Sequence, residues 1–252
     1  MPLTISQGIP ATVMAVVLAL IGCLLGLLSL RAALGASGRQ RLAWLALASF
    51  GIGVDGICGP QVAEIVSISY FGGNCQESGG AIATEVLVSV VASFAAVAAL
   101  VLTRLRLPGA ILGGAFLGTG TVLAHAALLT GLVNPAVEVR SLPLIVSAAA
   151  ACLLAVAALR LLAHRSQAAR IGALVLLALT TALAERIDLS AVTIRADAPA
   201  LTGSVTVPLT GIPSEQLLAP WLAAVALSVI GLFFTAMQTT LADGRRSLPS
   251  LD

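Results

Sequence analysis

Lysine is absent from this 252-residue chain, and all thirteen of its basic residues are arginine. Charged residues make up only 10% of the sequence against 59% hydrophobic, and mean hydropathy is +1.07. A soluble domain of this length could not cover its surface with so few charges, so the main solvent is expected to be lipid. A net charge of +2 leaves no broad basic face, which speaks against a nucleic-acid partner. There is no phosphate-cradling glycine loop, no pair of histidines one helical turn apart and no nucleophile beside a base, so no enzyme is expected. Residues 1–10 lack the basic start of a cleavable signal peptide, and the first apolar run is expected to remain in the mature protein.

What the chain does have is seven apolar runs, at about residues 9–30, 42–58, 81–102, 108–129, 142–162, 171–187 and 220–240. Each is long enough to cross a hydrocarbon core of roughly 30 Å. In lipid each run must satisfy its own backbone, so the expected fold is an all-α integral membrane bundle of seven helices in one domain, residues 1–252. Small residues recur in the runs (Gly22 and Gly26, Gly114 and Gly118, Ala148 to Ala151), which permits close helix contact. Pro108, Pro143 and Pro220 stand at helix starts, where a missing N–H costs little.

Arginine placement sets the expected orientation. Arg31, Arg39, Arg41, Arg104, Arg106, Arg160, Arg165, Arg170, Arg245 and Arg246 fall on one side, against Arg140, Arg186 and Arg195 on the other. The positive-inside rule then places the N-terminus outside and the C-terminus, with a tail at 241–252, in the cytoplasm. Nine of the eleven acidic residues follow the opposite bias. Connections on the basic side are short, so the runs pair as three hairpins plus a last helix. The longest outer connection, 188–219, holds two β-prone runs, 191–195 and 203–208, and is read either as a β-hairpin lid or as a plain linker.

Three hairpins suggest an internal repeat. The second, fourth and sixth runs carry Cys58, His125 and Glu185 at matching depth, 67 and 60 residues apart. Asp55 shares a helical face with Cys58, Thr121 with His125, and Thr181 with Glu185 and Asp188, so three equivalent helices could converge polar groups beneath the outer surface.

Gly118-x-Gly120-x-x-x-x-His125 resembles the core of the MHYT motif, a Gly-x-Gly lead-in followed by Met-His-Tyr-Thr. Gly51-Ile-Gly-Val-Asp-Gly-Ile-Cys58 has the same lead-in with Cys at the histidine place, and Ala178 to Glu185 is a weaker third copy with Glu there. The Met-His-Tyr places read Ile57-Cys58-Gly59, Ala124-His125-Ala126 and Ala184-Glu185-Arg186. The resemblance implies a seven-helix sensor domain of the bacterial cytoplasmic membrane, with motifs at the outer ends of its second, fourth and sixth helices. It also implies copper held by Met and His, a response to oxygen, carbon monoxide or nitric oxide, and a signalling output. About a dozen residues follow the seventh run, so that output is expected to pass through a membrane or cytoplasmic partner protein.

The candidate ligand-binding residues are therefore His125, Asp55, Thr121, Glu185 and Asp188. Cys58, His125 and Glu185 would make a mixed donor set for zinc or copper. His125 is otherwise a buried hydrogen-bonding group, held by Thr121 or a backbone carbonyl. Cys58 has a competing fate in a disulfide with Cys75, 17 residues on and on the oxidising side. Glu185-Arg186-Ile187-Asp188 is read either as an ion-responsive site or as an interfacial salt-bridge group with Arg186 pointing outward. Glu64, Glu77 and Glu85 are expected on the outer surface or at helix ends, His164 in a solvated turn, and Cys23 and Cys152 as packing residues. The reading alternative to a sensor is a membrane scaffold or assembly subunit; transport would need a polar path across the whole bilayer.

Overall fold

Each apolar run closes its own hydrogen bonds and becomes a helix. The computed structural model describes residues 9–67, 69–70, 73–74, 76–131, 137–164, 166–194, 212–213 and 218–246. The helices are α1 (Ile9–Gly35), α2 (Gly38–Phe50), a π-helical segment (Gly51–Cys58), α3 (Gly59–Ser67), α4 (Gly79–Leu102), α5 (Leu107–Thr130), α6 (Ser141–Leu161), α7 (Gln167–Leu189) and α8 (Leu218–Arg246). α2, the π segment and α3 run on without a break, so seven helical rods result. Six are long and apolar enough to cross a membrane; the apolar described part of α8, Pro220–Thr235, is shorter. Serine caps start two of the rods: Ser78 and Ser166 accept from the backbone N–H of Ala81 and Ala169.

The second rod departs from expectation. Residues 59–60, Gly-Pro, read as the end of a span, yet the helix continues to Ser67. Pro60 has no N–H to give the carbonyl of Gly56 and its ring crowds that turn, as proline does inside a helix. The chain widens into i→i+5 bonding, with the Gly59 N–H reaching Val54 O. The abandoned Gly56 carbonyl accepts instead from Thr181 Oγ1 of α7 at 3.0 Å. A tertiary hydrogen bond thus replaces the one that proline removed.

The rods close a ring in the order α1, α2–π–α3, α4, α5, α6, α7, and α7 packs back on α1. The π segment, α5 and α7 also touch one another inside it, while α8 lies outside against α1 and the π segment. Close approach depends on glycine. A Cβ on Gly22 would run into the backbone of Gly51, Asp55 and Gly56, and one on Gly118 into that of Ala151 and Cys152. A Cβ on Gly53 would stand 2.9 Å from the backbone of Ser89 and Val90. The Gly-x-Gly pairs are thus contact points between helices. Lipid-exposed leucine, isoleucine and phenylalanine cover the outside, among them Leu102, Leu153 and Phe233.

The short turns around Ser37, Arg104 and His164 all lie at one end of the bundle, with Arg31, Arg39, Arg41, Arg104, Arg106, Arg160 and Arg170 on or beside them. His164 is exposed there. At the other end the connections form brief antiparallel ladders. Val192–Ile194 is a strand, but its partner is Val137–Val139 from the α5–α6 connection, not a second run of its own loop. Residues 203–208, the other half of the expected hairpin, lie outside the described residues, as does the tail at 247–252. A further ladder joins Gln76–Glu77 to Ile212–Pro213. The connections at this end are therefore stitched to each other.

If helix contact at Gly22 sets the α1 packing, Gly22→Ala should destabilise the protein by about 1–3 kcal/mol, the usual range for overpacking. Gly35→Ala, with open space around it, should be neutral or slightly stabilising. Thermal unfolding of both variants in detergent checks this; equal midpoints would show that the contact is not tight.

Candidate functional site

Three buried hydrogen bonds tie the second rod, α5 and α7 together in pairs. Thr181 of α7 donates to Gly56 O of the π segment at 3.0 Å. Gln61 Nε2 of α3 donates to Thr121 O of α5 at 3.2 Å. His125 Nδ1 of α5 lies 3.1 Å from Asp188 Oδ2 of α7. Every one of these side chains is buried, and His125, Asp188 and Gln61 are wholly so. The node lies toward the end opposite the arginine turns, since His125 is five residues from the end of α5 and Asp188 one from the end of α7.

The helical repeat explains the geometry. Thr121 and His125 are one turn apart on α5, and Thr181, Glu185 and Asp188 follow one another along α7, so each helix brings its polar face inward. With the proton on Nδ1, the imidazole donates to the Asp188 carboxyl group. Its partner differs from the expected one: the Thr121 hydroxyl donates to its own helix at Leu117 O, 2.9 Å. The charged residues of α7 point two ways. Glu185 and Asp188 are buried, whereas Arg186 turns outward and Nη2 bonds Thr12 Oγ1 of α1 at 2.6 Å.

Cys58 and Asp55 face elsewhere. Cys58 is fully buried beside Glu85 and Ser89 of α4, and Asp55 lies against Ser228 of α8. Each π turn takes one residue more than an α turn, so the face beyond it is rotated from the one an α-helical count assigns. That is why Gln61, rather than Cys58, reaches α5. Cys58, His125 and Glu185 therefore make no common donor set. Among the described residues no group of three His, Cys, Asp or Glu could hold a metal ion. Cys58 is a free thiol, and Cys75, its expected disulfide partner, lies outside the described residues. Cys23 is buried and Cys152 half-buried, both as free thiols.

Gln61, Glu85, Ser89 and Ser228 were not among the residues that the pattern singled out as a site. Glu85 is wholly buried, not a surface group. Its signal was available: Glu85, Ser89 and Ser93 recur every four residues within an otherwise apolar run, and all three are fully buried. Gln61 was hidden by the glycine–proline pair that reads as a helix stop. A cavity of about 10 Å³, room for roughly one water, adjoins the node between Cys23, Ile57, Leu117, Thr121, Leu177 and Thr181.

No protein-family model matches this chain, and neither a curated protein nor a solved structure does. The class that fold and site define is a helical membrane protein with a polar node between three of its helices.

Removing one partner of the His125–Asp188 pair leaves the other buried without it, at a cost of about 3–5 kcal/mol. His125→Ala and Asp188→Asn should each destabilise strongly, and the double variant should lose less than the sum by about 1–3 kcal/mol. Unfolding measured across this double-mutant cycle decides the point; strict additivity would mean that the two side chains are not coupled.

Proposed function

We propose that the chain is a divergent MHYT-like sensor or ligand-binding protein of a bacterial cytoplasmic membrane. In this reading it crosses the membrane seven times, with its N-terminus outside and its C-terminus inside, and the polar node lies beneath the outer surface. It would pass its state to a partner protein. The observation that carries the reading is the His125–Asp188 bond between α5 and α7. Of the three bonds in the node it alone joins two groups that can each change charge. Ionisable groups inside a membrane are costly and are retained for work. A proton or ligand that separates the pair would release α5 from α7 and disturb the neighbouring Thr181–Gly56 link. The π segment that receives this link also contacts α8, where Trp221 Nε1 donates to Gly59 O at 3.3 Å.

A second reading is a scaffold or assembly subunit that kept the fold. Among the described residues, the cavity that adjoins the node at Thr121 and Thr181 has room for about one water, which favours it.

Trp44 and Trp221 are the two tryptophans of the chain: Trp221 is in the first turn of α8, and Trp44 packs on its middle at Phe234. A sensor should shift Trp221 emission when pH is stepped or copper or zinc ions are added to the full-length protein in nanodiscs, and His125→Gln should abolish the shift. Trp44→Phe isolates the Trp221 signal. A flat response in the wild type, with one stoichiometric co-purifying protein unaffected by His125→Gln, would instead make the chain a scaffold.

A further inference from the structure

The arginine-rich end holds an unbalanced pair of cations. Arg31 is in the last two turns of α1 and Arg170 is in the first turn of α7, and these helices pack against each other. Their register is fixed at the far end, where Arg186 bonds Thr12. Nineteen residues along α1 from Thr12 and sixteen along α7 from Arg186 bring the chain to Arg31 and Arg170, about 28 Å and about 24 Å away. Arg31 and Arg170 therefore stand on neighbouring helices within about one helical turn of the same depth, where their like charges oppose one another. Among the described residues neither has a hydrogen-bonded or ion-paired carboxylate.

The surroundings add to the positive field. Arg170 stands at the positive N-terminal end of α7, where a cation is disfavoured, and that first turn holds no acidic residue. The first turn of α2 at the same end has none either, and holds Arg39 and Arg41. The buried carboxyls that the structure describes, Asp55, Glu85, Glu185 and Asp188, all lie on the other side of the bundle's middle. Two arginines from neighbouring helices, at the depth where an apolar span ends, match the phosphate of a lipid headgroup: its oxygens accept forked guanidinium bonds while its acyl chains lie along the helices.

We propose that Arg31 and Arg170 form a binding site for the phosphate of an anionic phospholipid, in the groove between α1 and α7. The bound headgroup removes the repulsion between the two cations and holds α1 against α7, closing the helical ring. The proposal rests on the membrane reading alone; absence of a His125-dependent response would leave it standing.

The test uses the full-length protein in a zwitterionic detergent. Thermal unfolding is followed with added phosphatidylglycerol, phosphatidylcholine or inorganic phosphate. Phosphatidylglycerol should raise the midpoint by several degrees, and the other two should leave it nearly unchanged. In Arg31→Gln/Arg170→Gln the rise should fall below half, whereas Arg39→Gln, at an exposed arginine outside the groove, should keep it. An undiminished rise in the double variant, or an equal rise with phosphatidylcholine, overturns the proposal. An equal rise with inorganic phosphate overturns the lipid assignment in favour of a free oxyanion. Should the double variant not fold, native mass spectrometry of the wild type offered both lipids equally decides: preferential retention of phosphatidylglycerol supports the site, and no preference refutes it.

Discussion

The arrangement depends on one constraint: a buried backbone carbonyl that lost its partner to proline must find another. Pro60 cannot serve Gly56 O, and a lone carbonyl inside a membrane protein is costly. The Thr181 hydroxyl meets that need and pins α7 to the π segment. Once that contact exists, Gln61 is carried one turn further toward α5 and His125 is brought level with Asp188. The three bonds form a closed triangle between helices that are far apart in sequence. Apolar packing would let these rods slide and rotate, because lipid offers the same dispersion contacts as a neighbouring helix. Directional polar bonds set the register.

Glycine makes this geometry reachable. Helices approach closely enough for side chains to reach across only where a Cβ is missing, and Gly22, Gly53 and Gly118 stand at such places. The polar node and the small-residue contacts are thus two halves of one solution. The resulting bundle is asymmetric from end to end, with buried carboxyls and an imidazole toward one end and arginines at the other. The first end suits a group that responds by changing charge, and the second suits attachment to a negatively charged membrane surface.

Much of this was legible in the residues. Hydropathy placed six of the seven rods to within about six residues, while the second ran nine residues past its expected end at Cys58. The periodic polar faces of α5 and α7 pointed to His125, Thr181 and Asp188. Two things were not legible. Gly59-Pro60 carries the local chemistry of a helix stop, and nothing near it in sequence announces the distant threonine that lets the helix continue. The buried position of Glu85 was obscured by its closeness to a helix start, although its four-residue spacing with Ser89 and Ser93 shows the face it shares.

The sequence by itself determined the class of object, because solvent preference is summed over hundreds of apolar atoms and needs no knowledge of neighbours. It also determined which residues would be costly to bury. Only the tertiary structure decided which of those met. Pairing across helices depends on rotation about each axis, and a single π segment altered that rotation for the second rod. His125 found Asp188, while Cys58 lies beside Glu85.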